Sequence, residues 1–153
     1  MAVTMADVRQ WLERAEPNYK KAAATLGADA LPYLEQLVDD PRLGPGAVCM
    51  ASFVGGPQAT ALLLAATSHP NDAVRFQAAC GARNLDGQHA IETLLQALND
   101  PDVGVRHAAV RSVGVLKGTG QAPPMVIDRV SSMTASEPDR RTRDVIDVVL
   151  RMP

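Results

Sequence analysis

Aromatic side chains make up only 3% of this 153-residue chain, while hydrophobic residues make up 46%. That scarcity excludes a core built like a β-sandwich, which needs many β-branched and aromatic strands. It suits closely packed helices of Ala, Leu, Val and Ile instead. Charge of one sign is also lacking: the net charge is −2 and the isoelectric point is near 5.9. There is no basic excess to neutralise phosphates and there are few rings to stack on bases, so no nucleic-acid partner is expected. No apolar run reaches the roughly 18 to 20 residues of a membrane span. The segment 1–7 lacks the charged and apolar regions of a signal peptide, so a cytoplasmic protein and no membrane partner are expected.

Cysteine is nearly absent too. Cys49 and Cys80 stand 31 residues apart, in neighbouring helical repeats whose axes pack about 8 to 10 Å apart. A disulfide needs Cα atoms within about 7 Å, so free thiols in a reducing compartment are expected. The spacings His-x-x-x-His, Glu-x-x-His and Cys-x-x-Cys do not occur, and neither does Gly-x-Ser-x-Gly or a glycine-rich phosphate loop. No metal site, cofactor or catalytic residue is therefore expected.

Helical periodicity broken by proline and glycine is what the chain does have. Val8, Trp11, Leu12 and Ala15 form one apolar stripe over residues 4–15, opened by Thr4 and Asp7 in capping-box spacing and closed at Glu16-Pro17. Further helices are expected over 18–26, 29–38, 47–54, 57–66, 73–84, 89–99, 103–116, 123–135 and 140–151. Ten helices in five hairpins give a single all-α domain over 1–153, with units near 4–27, 29–55, 57–86, 88–118 and 123–152.

The turn prolines Pro41, Pro70, Pro101 and Pro138 are spaced 29, 31 and 37 residues apart, which marks internal repeats. Arg75, Arg106 and Arg143 stand five residues beyond the last three; Gly46 takes that place after Pro41. Cys49, Ala78, Ala109 and Ile146 stand eight residues beyond the prolines, and Phe53, Ala82, Val113 and Leu150 twelve beyond, so these eight are expected in the core. On the first helices Leu34, Leu63 and Leu94 share one register. Ser131 takes that place in the fourth unit, which implies a one-residue shift there. Positions six, ten and thirteen beyond each proline lie off the core face: Ala47, Ala51 and Val54, then Phe76, Cys80 and Arg83, then His107, Arg111 and Gly114, then Asp144, Val148 and Arg151.

The string Leu94-Leu95-x-x-Leu98-x-Asp100-Pro101-x-Val103-x-Val105-Arg106-x-x-Ala109, echoed by Leu63-Leu64, Pro70, Val74, Arg75, Ala78 and Ala79, resembles the HEAT repeat. It looks most like the short bacterial units first named for phycobilisome lyases. The resemblance is strongest over residues 58–118. It implies a right-handed α-solenoid with first helices on the convex surface and second helices on the concave one. It further implies an inter-repeat ladder of the acid before the turn proline and the arginine six residues later. Asp100 and Arg106 fit this fully, Arg75 and Arg143 in part, and Asp40 lacks its arginine, so the ladder should be weakest towards the N-terminal half.

The function implied is a non-catalytic protein-interaction module, a scaffold, adaptor or inhibitor, whose partner is another protein. Phe76, Cys80, Arg83, His107 and Arg111 are its candidate concave-face residues. Two rivals follow from the same family: a chromophore-lyase-like or other modifying enzyme with Cys80, His107 and Arg111 in a pocket, and, more weakly, a nucleic-acid binder.

Overall fold

A computed structural model describes residues 2–153; Met1, included in the expected domain, lies outside the described residues. The helices are α1 (Met5–Leu12), α2 (Tyr19–Leu26), α3 (Leu31–Leu37), α4 (Gly44–Val54), α5 (Gly56–Ala66), α6 (Asp72–Gly81), α7 (Gly87–Leu98), α8 (Val103–Gly118), α9 (Pro124–Ser132) and α10 (Arg140–Arg151). Among the described residues there is no strand.

Local chemistry sets the ends. At the start of α1 the Thr4 hydroxyl accepts the Asp7 N–H at 3.2 Å, and the Asp7 carboxylate accepts the Thr4 N–H at 2.8 Å. α1 stops at Leu12, three residues earlier than its apolar stripe suggests. The helix expected over 29–38 divides into a 3₁₀ turn, Gly27–Ala30, and α3. Pro32 has no N–H to donate, so it fits only the first turn of an α-helix. The helix expected over 73–84 likewise tightens into a 3₁₀ turn at Ala82–Asn84.

Each second helix of the last three units is capped by the residue just after its turn proline. Asn71, Asp102 and Asp139 accept the backbone N–H groups of Ala73, Val105 and Thr142. Arg42 holds that place after Pro41 and has no acceptor to offer. α4 begins one residue later than its counterparts, without a side-chain cap and with Pro45 in its first turn. The Asp40 carboxylate, two residues earlier in the turn than the other caps, accepts the Leu43 N–H at 2.8 Å instead, and the faces of α4 are displaced from those of its counterparts. Ala47 and Ala51, expected at the surface, are fully buried, whereas Cys49 is half-buried and Phe53 is 38% exposed, against the core placement expected for both.

Elsewhere the register runs closer to expectation. Ala78, Ala82, Ala109, Val113 and Ile146 are buried, as are Leu34, Leu63 and Leu94. Val130 fills the equivalent place on α9, so Ser131 faces out and the one-residue shift is present. Gly114, expected off the core, is buried against Val149; Leu150, expected in the core, is half-buried.

The second helices α2, α4, α6, α8 and α10 lie side by side in one layer, and the first helices form the other. Small residues let the second helices close up. A Cβ on Gly81 would lie 2.6 Å from the Ser52 Cβ, and the Ser112 hydroxyl donates to the Ala79 carbonyl at 2.6 Å. The first helices meet less closely, so the stack curves towards the second-helix layer as an α-solenoid.

Guanidinium rungs tie the units together. Arg75 donates from Nη1 to the His69 and Pro70 carbonyls of its own turn, and from Nε to the Asp100 carboxylate of the next unit at 2.9 Å. Arg106 repeats this with the Asp100 and Pro101 carbonyls and, through Nε and Nη2, with both Glu137 oxygens at 2.9 Å. The charge pair therefore joins each arginine to the next unit's acid, while its own unit supplies only backbone carbonyls. Arg143 makes the carbonyl bonds alone, to Glu137 and Pro138.

The residue before each proline also accepts an N–H two residues on: Arg42 to Asp40, Asn71 to His69, Asp102 to Asp100 and Asp139 to Glu137. Between the second and third units the arginine place is Gly46 and the acid place is His69. There the link is reversed: the His69 Nε2 bonds the exposed Asp39 carboxylate of the preceding turn at 2.8 Å.

Glu137 is 6% exposed, and the hydrogen bond from Arg106 holds its carboxyl below the ordinary value of 4.5. Arg106→Met should cost about 3 kcal/mol in denaturant unfolding, because it strands a buried carboxylate, and adding Glu137→Met should restore much of the loss. Since folding lowers this pKa, the rung contributes stability above the ordinary carboxylate value and loses it as the pH falls through the folded one. The wild type should therefore lose more stability than the double variant between about pH 6 and about pH 3.

Candidate functional site

The exposed side of the second-helix layer carries the residues singled out by the repeat pattern. Phe76 on α6 is 40% exposed, one turn before half-buried Cys80, and Arg111 on α8 is exposed one turn after half-buried His107. The i, i+4 spacing puts each pair on one helix face. Arg83 lies across the α6–α8 junction, its Nε donating to the Cys80 carbonyl at 3.1 Å and to the Ser112 hydroxyl at 3.3 Å. His107 leans towards α10, with its Nδ1 3.2 Å from the Thr142 hydroxyl.

Cys80, Arg83 and Arg111 come together electrostatically: burial raises the Cys80 thiol above its ordinary range, and the two guanidinium groups partly oppose that rise. Cys49 lies next along the face and is pushed up to about 11, chiefly by burial and further by Cys80. Both cysteines are free. A thiol shifted upward stays protonated at neutral pH and is a weak nucleophile, so this pair has the chemistry of a soft apolar contact. Phe53 on α4, Val115 on α8 and Val148 on α10 are further exposed apolar residues of the second helices. Phe53 was missed because the faces of α4 are displaced from the common register, which the offset from Pro41 does not reveal.

The ladder residues behave differently. Arg75 and Arg106 are 16% exposed at the side chain and committed to carboxylates. Arg143 is exposed at the end of the stack. Among the described residues no group of three or more His, Cys, Asp or Glu side chains converges as a metal site, and no helix is long and apolar enough to cross a membrane.

A second concavity lies on the opposite layer, where sequence reasoning placed nothing. A cleft of about 570 Å³ opens between α3 and α5, with Leu31, Val38, Ala61, Leu62 and Ala65 as apolar wall and Glu35, Asp39 and His69 along its rim.

A curved two-layer stack of helical hairpins, tied by arginine rungs and open on both faces, is the architecture of an α-solenoid repeat protein. Residues 59–150 match the family model described as HEAT repeats, and the chain belongs to that family. Among solved structures, the complex of CpcE and CpcF of phycocyanin lyase from a Nostoc species superposes with a TM-score of 0.69 at 24% identity, covering 85% of each chain. Human deoxyhypusine hydroxylase in complex with glycerol superposes with a TM-score of 0.65 at 21% identity, covering 80% of this chain and 42% of that one. At these identities the likeness establishes the fold. No curated protein sequence matches the chain.

The raised thiols give a direct expectation. Iodoacetamide labelling of the native protein, followed by mass spectrometry, should proceed far more slowly than labelling of the urea-unfolded chain at neutral pH. Cys49 labelling should accelerate only as the pH climbs towards about 11.

Proposed function

We propose that this chain is a non-catalytic protein-interaction module that receives another protein on the exposed face of α4, α6, α8 and α10. The carrying observation is the set of apolar side chains left in solvent on that layer, above all Phe53 and Phe76 in a chain with only two phenylalanines. Exposed aromatic side chains beside an arginine are the composition of interface anchors, and Arg111 supplies the charge. Repeat stacks offer extended surfaces of this kind. The Nostoc neighbour is a complex of two proteins, which supports a protein occupant.

Both neighbours also carry enzyme names, a lyase and a hydroxylase, and a pocket around Cys80, His107 and Arg111 is the corresponding rival. The upward-shifted thiol of Cys80 speaks against its use as a nucleophile.

Affinity capture from the native host with mass spectrometry tests the reading. The wild type should retain a stoichiometric protein that Phe76→Asp and Arg111→Glu each release, with far-UV circular dichroism and melting unchanged. Arg83 is a poor probe, since its bonds to Cys80 and Ser112 make it part of the α6–α8 packing. Capture unaffected by both substitutions would sink the proposal, and copurification of a small molecule in place of a protein would favour the enzyme.

A further inference from the structure

The cleft between α3 and α5 is an outcome of particular residues at repeat positions. Nine and five residues before each turn proline, the first helix faces the preceding unit. On α7 those places are Glu92 and Gln96, which line a shallower hollow against α5; on α9 they are Arg129 and Met133, and Arg129 bonds Asn99 across the junction. On α5 they are Ala61 and Ala65, both exposed, so nothing reaches across to α3. The guanidinium rung is missing at this same junction, where Gly46 and His69 replace arginine and acid and the Asp39–His69 bond joins the two turns instead. Short side chains and a weakened tie together leave Pro32, Ala61 and Ala65 exposed and Val38 half-buried above a floor of buried Leu31 and Leu62.

The charges around the cleft have one sign. Glu35 on α3 and Asp39 in the following turn are its two carboxylates; α5 contributes no ionised group, and His69 is bonded to Asp39. An all-helical wall has no unpaired strand edge, so an extended peptide would find no main-chain partners here, whereas a helix brings its own backbone bonds satisfied. We infer that this cleft is a second docking site, which takes an amphipathic helix of a partner protein, apolar side chains at i, i+3/i+4 and i+7 against Pro32, Val38 and the two alanines, with a lysine or arginine turned to Glu35 and Asp39. It lies on the layer opposite the face of Phe76 and Arg111, so the two sites can be engaged together.

The test uses the full-length ¹⁵N-labelled protein and two helix-stabilised model peptides of about twelve residues, alike in their leucine stripe and differing only in lysine or glutamate flanks. Titration with the lysine peptide should give saturable amide shifts centred on Leu31, Glu35, Ala61, Ala65 and His69. The glutamate peptide should bind at least about fivefold more weakly. Ala65→Trp, at an exposed position where the fold can accept the ring, should abolish the shifts, and Glu35→Lys should remove the preference for lysine. Phe76→Asp should leave the titration unchanged, which separates this site from the one proposed above. Equal binding of both peptides, shifts confined to the second-helix face, no saturable shift at millimolar peptide, or concentration-dependent shifts at the cleft without peptide, the mark of a second copy as occupant, would each overturn the inference.

Discussion

The stack depends on one interaction repeated along its turns: a guanidinium fixed by two carbonyls of its own turn reaches the buried carboxylate of the next unit. Asp100 and Glu137 are buried acids that would be costly without it, and each also accepts an N–H that shapes its own turn. A planar donor fork can serve the carbonyls with one edge and a carboxylate with the other, which a lysine ammonium cannot do. Burial makes the arrangement conditional. Two units locked in register satisfy every charge, and slipped units would strand a carboxylate in the core.

Where the rung fails, the architecture loosens. Gly46 removes the arginine, His69 replaces the acid, and the ring keeps the local duty of accepting the Asn71 N–H while turning its other nitrogen back to Asp39. The link survives in exposed form, with its acid and donor exchanged between units. At the same junction α5 presents alanines towards α3, and the first-helix layer opens. Close packing of the second helices through Ser52, Gly81 and Ser112 holds the stack together beneath the opening.

The candidate faces were legible in the sequence to different degrees. Phe76, Cys80, His107 and Arg111 could be selected because an undisturbed register beyond Pro70 and Pro101 separates core positions from the rest. Phe53 could not, since the turn before α4 is closed by Asp40 rather than by the residue after its proline and the faces of α4 depart from the common register. Arg83 looked like a free surface charge, yet its neighbours draw it across α6 and α8. The α3–α5 cleft had a sequence signal in Ala61 and Ala65, but small residues become a cavity only when the opposing helix stands far enough away.

Sequence by itself determined the hairpin repeat, its turn chemistry and the all-helical class, because apolar periodicity, caps and prolines act within a few residues along one chain. It also placed Arg75, Arg106 and Arg143 at one constant offset from their turns, although only the first two meet a carboxylate of a following unit. Tertiary structure alone decided which acid each arginine meets, how α4 is rotated, which thiols are shifted and where a cleft opens. Those outcomes depend on distances between side chains that are about thirty residues apart in sequence, and such distances are set by the packing of one unit on the next.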